Sequence, residues 1–267
     1  MLIKANNRWQ AFGIHIAISV VLFLIMASVI YFYWYPGFLF RYDGGLEGMK
    51  LIAGVDFFIG PVLTLCVYKI GKKSLPFDLV FIALLQLACL SGGMWTVWQT
   101  RPVAVVYAEG TIRTISYQVF VDYGVQPADV PLLQERWPVW VAVADAAVSQ
   151  SNLFTQPQHD SQPHFRISGY LPFKDYLPEI AKHGLTAEKV LAGSNEAVNA
   201  ISRQKPVIFF YGCAAGTGVG YLGLDPTSGA VEGFVLYTPR VTATWLGYLM
   251  QSKVTFVQFI HSLLKGG

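Results

Sequence analysis

Asp56 has the most unusual chemical setting of any residue in this sequence. It is the only acidic or basic residue in Leu51–Tyr68, an apolar stretch bounded by Lys50 and Lys69. At roughly 1.5 Å per residue, a helix of that length nearly spans the hydrocarbon core of a bilayer. A carboxylic acid inside such a helix must face protein, water or a partner, because lipid does not solvate it. Two interpretations stay open: an acid satisfied inside a helix bundle, and an acid presented to another membrane helix or to an ion.

Small and polar residues are expected around this acid. Counting residues places Asp56 about 9 Å below Lys50, and it places Ser28 and Ser91 at a similar depth in their own apolar stretches. The residues predicted to serve helix packing or partner binding are Asp56, Gly60, Pro61, Gln86, Gly92 and Gly93. Gly60-Pro61 favours a packing kink, with a groove formed by that kink as the alternative. A proton pathway would need a second ionisable group at this depth and the sequence offers only Gln86, so transport is not expected.

Other chemically suggestive residues do not form a recognisable site. Residues 218–223 match G-x-G-x-x-G, but a turn at 224–226 follows where a dinucleotide site needs a helix. His159 and His164 share a polar segment without a third ligand at metal-binding spacing, and Cys213 has no base near it in sequence. The sequence therefore predicts no catalytic residue, no metal and no cofactor, and we do not expect an enzyme.

Composition and basic residues predict how the chain is arranged in a membrane. Of 267 residues 54% are hydrophobic and 13% charged, which is too little charge for a soluble protein of this size. The net charge of +3 is scattered and gives no sign of nucleic-acid binding. A membrane domain is predicted over 1–101, with spans at about 12–35, 51–68 and 79–100. Lys4, Arg8 and the lysines at 69, 72 and 73 would share the cytoplasmic side, so the N-terminus is cytoplasmic and the chain after Arg101 is exported.

The exported region, 102–240, has the pattern of a small α+β domain on an antiparallel sheet. Predicted strands are 103–107, 111–116, 140–144, 207–211, 219–224 and 231–236, and the best soluble helix is 186–203. Glu109-Gly110 and residues 225–229 are predicted turns. The tail, 241–267, is predicted to be an amphipathic helix, with a fourth membrane span as the alternative. The predicted fold class is thus a membrane protein with an N-terminal bundle of three transmembrane helices followed by an α+β periplasmic domain.

Several segments within the first 107 residues are more specific than their hydropathy. They are Trp34-Tyr35-Pro36-Gly37, Gly54-Val55-Asp56, Gly60-Pro61-Val62-Leu63-Thr64-Leu65, residues 68–75, Asp78-Leu79, Leu85-Gln86-Leu87 and Arg101-Pro102-Val103. In these segments the chain resembles a known family, the type IV pilin accessory proteins of Gram-negative bacteria (the TfpX/TfpZ group). These segments keep the family's order and spacing across all three predicted spans. The resemblance implies an inner-membrane accessory or chaperone protein that binds its cognate major pilin and promotes its stability or its assembly into pili. It brings no catalytic residues with it.

A second functional class remains in competition with this one. The chain would then be a membrane-anchored periplasmic sensor, or a subunit of another envelope complex, whose exported domain binds a different protein or a small ligand. In both hypotheses the lipid bilayer is a partner and nucleic acid is not. A periplasmic thiol enzyme using Cys213 is the third and weakest hypothesis.

Overall fold

The computed structural model describes residues 7–134, 137–144, 163–191, 208–216 and 218–239. They form two compact units: one holds 7–33 and 45–99, and the other holds 34–44 and the described residues from 100 onwards. The predicted tail, 241–267, lies outside the described residues, as does most of the predicted helix 186–203, of which Ala187–Leu191 is described and helical.

Within the described residues, three helices are long and apolar enough to cross a membrane, and they run Arg8–Trp34, Gly45–Val67 and Leu75–Thr100. The first consists of α1 (Arg8–Val29) and a π-helical turn (Ile30–Trp34). The short helix α2 (Phe38–Tyr42) follows it and belongs to the second unit. The second long helix joins α3 (Gly45–Gly54), a π-helical turn (Val55–Ile59) and α4 (Gly60–Val67). The third is α5 (Leu75–Thr100).

The second long helix corrects the predicted depth of Asp56. It begins at Gly45, six residues before the predicted start, because Lys50 lies inside the helix and does not end it. A long basic side chain on a membrane helix can extend to the interface, so one lysine does not mark a boundary. Gly45 and Val67 are each eleven residues from Asp56, so the acid is central and not near one end.

The second unit is built on a seven-stranded sheet in the order β4-β3-β1-β2-β5-β6-β7. The strands are β1 (Pro102–Ala108), β2 (Thr111–Ser116), β3 (Val139–Val143), β4 (Tyr170–Pro172), β5 (Phe209–Ala215), β6 (Gly218–Leu224) and β7 (Val231–Pro239). Helices at α6 (Tyr117–Asp122) and Leu177–Lys182 complete the unit with several short 3₁₀ turns. The predicted α+β fold class is confirmed.

The sheet is mixed, whereas the sequence suggested antiparallel pairing throughout. Four pairs are antiparallel, but β1 pairs with β3 and β2 pairs with β5 in parallel. The β1–β2 hairpin follows from its two-residue turn, since Glu109 and Gly110 both have positive φ, which matches the twist of a tight hairpin. The parallel pairs join strands separated by long connections, which local sequence does not specify.

The core lies on both faces of β1, an interior strand of the sheet, every residue of which is buried. One cluster includes Val106, Ile115, Phe120 and Leu133, which pack α6 against the sheet. Such a strand, buried on both faces, is what a continuous apolar run predicts.

Candidate functional site

Asp56, which was predicted to serve helix packing or partner binding, lies at the centre of a buried polar network in the helix unit. Asp56 is 0% exposed, and its Oδ1 accepts a hydrogen bond from Gln86 Nε2 at 2.5 Å. Ser19 Oγ donates to the backbone carbonyl of Asp56 at 3.2 Å and lies 3.4 Å from Oδ1. All three long helices therefore contribute to this carboxyl group, as expected where an acid must be satisfied away from water.

The network extends from Gln86 towards the start of α1. Gln86 Oε1 lies 2.7 Å from His15 Nε2, and Thr64 Oγ1 lies 2.7 Å from His15 Nδ1. Thr64 is buried and also donates to the carbonyl of Gly60 at 3.1 Å. His15, Ser19 and Thr64 were not among the residues predicted from the sequence. The sequence carried one signal for these residues, which is a spacing of four residues. This spacing puts His15 and Ser19 on one face of a helix, and it puts Asp56, Gly60 and Thr64 on one face of another.

Gly60 and Pro61 allow this network to close. A Cβ placed on Gly60 would lie 2.5–2.7 Å from the amide atoms of Gln86, so only glycine leaves room for that side chain. Pro61 is buried at the beginning of α4, directly after the π-helical turn. Proline removes one backbone hydrogen bond, and a π-helical turn is one way in which a helix absorbs such a break. The packing kink predicted at Gly60-Pro61 stays a prediction, and the structure shows a π-helical turn directly before these residues.

Gly92 and Gly93 lie away from this network. The carbonyl of Gly92 accepts from Thr96 Oγ1 at 3.0 Å, and Gly93 faces Ile52, whose Cγ1 would be 3.4 Å from an added Cβ. Gly48 makes a closer approach, since a Cβ there would lie 2.6 Å from Val97. Small residues of α3 and α5 therefore bring these two helices together.

The serines expected near Asp56 are placed differently. Ser28 Oγ donates to the carbonyl of Leu24 in its own helix, and Ser91 is exposed. Because the second long helix starts earlier than predicted, Asp56 meets Ser19, more than two turns closer to the N-terminus of the chain than Ser28.

One polar atom of the network, Asp56 Oδ2, is buried and makes no hydrogen bond to any residue that the structure describes. An unpaired oxygen in an apolar environment is costly, and more so when it is charged. This atom is the point at which the site is electrostatically incomplete.

The sheet domain carries an apolar groove of about 670 Å³. Its walls come from the segment 36–39, from the β3 side at Trp137, Pro138 and Trp140, and from Val231–Gly233 of β7. Phe38 is one of the lining residues, and its ring centroid lies 6.1 Å from that of Trp140 and 5.9 Å from that of Phe234. Grooves lined by aromatic side chains are frequent sites of protein–protein contact.

Asp43 attaches the segment 34–44, which contains the groove residues 36–39, to the sheet. Its Oδ1 accepts from Thr114 Oγ1 of β2 at 2.7 Å and from the backbone N–H of Gly216 at 2.5 Å. The Tyr35 hydroxyl and Thr100 Oγ1 lie 3.0 Å apart at the other end of the segment. The position of Phe38 in the groove is therefore set by polar contacts on both sides of it.

Arg101 occupies a buried position at the start of the domain. Its guanidinium lies 4.7 Å from the ring centre of Tyr117 and 4.8 Å from that of Trp137, which favours a planar cation between two aromatic faces. Burial lowers the pKa of Arg101 to about 10, so it remains a cation at neutral pH.

Cys213 and His164 both lie in environments that shift their pKa. Cys213 is buried in β5, and burial raises the pKa of its thiol, which disfavours the reactive thiolate. His164 Nε2 lies 3.2 Å from Thr111 Oγ1, and burial lowers the pKa of its ring. In the described parts of the chain, no three His, Cys, Asp or Glu side chains are grouped closely enough to hold a metal ion. Residues 218–223 lie in β6, and the next element of the described chain is the strand β7.

Comparison with known proteins identifies relatives in Dichelobacter nodosus. The chain is 36% identical over 106 residues to a fimbrial assembly protein of serogroup E1, an alignment that covers 39% of this chain and 41% of that protein. It is 34% identical over 106 residues to the fimbrial assembly protein of serogroups C1 and C2, covering 39% of this chain and 81% of that protein. A serogroup I protein is 34% identical, with 41% of its length covered.

The alignments cover different shares of the three relatives. For the serogroup E1 and I proteins, the chain spans about two fifths of the relative's length, whereas it spans about four fifths of the C1 and C2 protein. No profile of a known protein family matches the chain, and no solved structure matches it. By its similarity to a relative that it covers over most of that relative's length, this chain belongs to the family of fimbrial assembly proteins.

Proposed function

We propose that this protein is an inner-membrane accessory protein that binds the major pilin of a type IV pilus and promotes the pilin's stability or its assembly into pili. The observation that carries the proposal is the similarity to proteins named for fimbrial assembly. Three helices of membrane-spanning length and a sheet domain in one chain support it. A pilin consists of one apolar helix and an exported head, so this chain has an element suited to each part.

Binding through two sites would need no large single interface. When two contacts form within the same pair of proteins, the second takes place at a high effective concentration. Lipid-exposed faces of the three helices would contact the pilin helix, and the apolar groove would contact the pilin head. Phe38, Trp140 and their neighbours supply the kind of aromatic surface that dominates binding energy at protein interfaces.

The proposed arrangement places the N-terminus in the cytoplasm and the sheet domain in the periplasm. Its support is the basic character of Lys69, Lys72 and Lys73 between the second and third helices. We further propose that the protein acts by binding and not by catalysis. The buried, weakly acidic thiol of Cys213 supports that view, because a catalytic cysteine needs its thiolate.

The competing function is that of a sensor or a subunit of another envelope complex. An apolar groove of this kind accepts a peptide or a small apolar ligand equally well. The groove therefore supports this alternative only if the molecule that it binds is not a pilin. Identifying the occupant therefore separates the two functions.

Site-specific photocrosslinking in living cells tests the proposal. A photoreactive amino acid replaces Phe38 or Glu232 in the groove, or Phe58 on an exposed face of the second long helix. The matched control position is Glu179, which is exposed on the same sheet domain but does not line the groove. Capture of pilin from the groove and helix positions, and not from Glu179, is the expected result. Capture of a different envelope protein from the groove, with no pilin at any position, would support the sensor or subunit alternative.

A further inference from the structure

The charged side chains of the helix unit are unevenly distributed between its two ends. Among the described residues, one end carries Arg8, Lys69, Lys72 and Lys73 with a single acid, Asp78, whereas the other end carries one lysine and one glutamate. We propose that the first of these, the basic end, binds the headgroup of an anionic phospholipid. The proposal requires only that the three long helices lie in a bilayer, so it holds or fails independently of pilin binding.

Contacts between the helices place Arg8 at the same end as the three lysines. Ser19 of α1 hydrogen-bonds to Asp56 of the second long helix. One turn closer to the N-terminus of the chain, His15 contacts Thr64, which lies about two turns further along the second long helix. The two helices are therefore antiparallel, and the start of α1 lies beside the loop that follows α4. Arg8 lies about two turns before His15 and so belongs to that end.

Two consecutive turns form the loop between α4 and α5. The N–H of Lys72 donates to the carbonyl of Lys69 at 3.3 Å, and the N–H of Leu75 donates to the carbonyl of Lys72 at 3.1 Å. Gly71 has a φ of +80°, a conformation that residues with a side chain rarely adopt. The chain thus reverses within a few residues, and its three lysines act on one small region at the membrane boundary.

The described chain balances only part of this positive charge. Lys72 Nζ lies 2.6 Å from Asp78 Oδ2 and so has an acidic partner. Arg8, Lys69 and Lys73 are exposed, and they form no ion pair with any residue that the structure describes. Three cations therefore remain at the basic end for an anion to neutralise.

Large apolar side chains at the same end indicate that this anion is part of a lipid. Trp9, Ile70 and Phe77 are 66%, 67% and 74% exposed. Trp9 follows Arg8 and Ile70 follows Lys69, so cations and apolar groups alternate along the chain. A phospholipid presents a phosphate and its acyl chains at neighbouring depths, and tryptophan is enriched at that boundary. A soluble phosphate would match the cations and leave the apolar side chains without a partner.

The excess of positive charge favours a headgroup with a net negative charge. The phosphate of a zwitterionic lipid is already balanced by the ammonium of its own headgroup, whereas that of phosphatidylglycerol is not. Each lysine or arginine near an anionic surface strengthens binding by about fivefold. Three unbalanced cations should therefore distinguish the two kinds of lipid clearly.

Native mass spectrometry of the full chain in detergent tests the proposal. The protein is titrated with an equimolar mixture of phosphatidylglycerol and phosphatidylethanolamine that carry the same acyl chains. We expect phosphatidylglycerol to bind at least about tenfold more tightly, and this preference to fall as the salt concentration rises. Equal binding of the two lipids would overturn the proposal. Displacement of phosphatidylglycerol by an equal concentration of glycerol phosphate would also overturn it, because the site would then be one for soluble phosphate.

Variants of exposed lysines locate the binding. Lys69→Gln combined with Lys73→Gln should lower the preference for phosphatidylglycerol by about tenfold, and arginine at both positions should preserve it. The matched control combines Lys174→Gln with Lys189→Gln, which changes the net charge equally at two exposed positions of the sheet domain. This control should bind as the wild type does. An undiminished preference in the loop variant, or an equal loss in the control, would contradict a site at the basic end.

Discussion

At the scale of single residues, the position of Asp56 shows how an apolar helix unit accommodates an acid. Its Oδ1 receives a hydrogen bond from Gln86 while Oδ2 receives none from the described residues. Gly60 is the residue that makes the Gln86 contact possible, because any larger side chain would occupy the space of the amide. Asp56 and Gly60 lie one helical turn apart, so a small residue is needed at that spacing from the acid.

The first prediction concerns Gly60→Ala. The added Cβ would displace the Gln86 amide and remove its hydrogen bond to Asp56, which costs about 1.5–3 kcal/mol when the acceptor is charged. Alanine regains up to about 1 kcal/mol from its helix propensity. We expect the free energy of unfolding in detergent to fall by roughly 1 kcal/mol, measured by thermal or denaturant unfolding.

Gly54→Ala is the matched control for this prediction. Gly54 and Gly60 belong to the same long helix and have nearly the same α-helical backbone angles, but a Cβ on Gly54 would meet nothing within 4 Å. We expect that variant to be as stable as the wild type or slightly more stable. Equal destabilisation by both substitutions would contradict the role assigned to Gly60.

At the scale of elements, the segment 34–44 belongs to the sheet domain although it lies in sequence between two long helices. The helix α2 packs Phe38 and Tyr42 on Phe234 of β7, with ring centroids 5.9 and 4.3 Å apart. Asp43 closes the segment by accepting hydrogen bonds from β2 and from the residue after β5. The groove therefore depends on a connection that is fastened to the sheet.

The second prediction concerns Asp43→Ala. Loss of the carboxylate would leave the N–H of Gly216 and the hydroxyl of Thr114 without this acceptor, at a cost of about 2–3 kcal/mol. We expect faster hydrogen exchange at the Gly216 amide and a lower unfolding temperature. Asp43→Asn keeps an oxygen acceptor in the same place and should preserve most of the protection. If Asp43→Ala left the exchange of Gly216 unchanged, Asp43 would not fasten the segment.

At the scale of the whole molecule, the described chain divides into a helix unit suited to lipid and a sheet domain with its own core. An odd number of membrane crossings would place the two ends of the helix unit on opposite sides of the bilayer. The basic residues at 69, 72 and 73 then argue for a cytoplasmic loop and an exported domain.

The third prediction tests this orientation with single cysteines. In a variant without Cys66, Cys89 and Cys213, cysteine is introduced by Lys174→Cys on the sheet domain or by Lys73→Cys in the loop, and both positions are exposed. A maleimide that does not cross membranes should label Lys174→Cys in spheroplasts and label Lys73→Cys only after permeabilisation. The reverse pattern would contradict the proposed orientation, and with it the proposed contact between the sheet domain and the pilin head.

Local features of this protein were predictable from its sequence. The three apolar helices, six of the seven described strands and the Glu109-Gly110 hairpin turn follow from hydropathy, alternation and backbone preferences, which act over a few residues. The predicted strands agree with the observed ones to within a few residues. The short strand β4 was missed because three residues carry almost no pattern.

Contacts between distant residues were decided by the tertiary structure alone. Which helix residue meets Asp56 depends on where each helix begins, and an error of six residues at the start of the second helix was enough to suggest Ser28 in place of Ser19. The parallel pairing of β2 with β5 and the attachment of α2 to the sheet likewise depend on segments that are far apart in sequence. Sequence by itself determined which segments are helices or strands, since those preferences are local. Only packing in three dimensions brought His15, Gln86 and Asp56 together, because their hydrogen bonds join three separate helices.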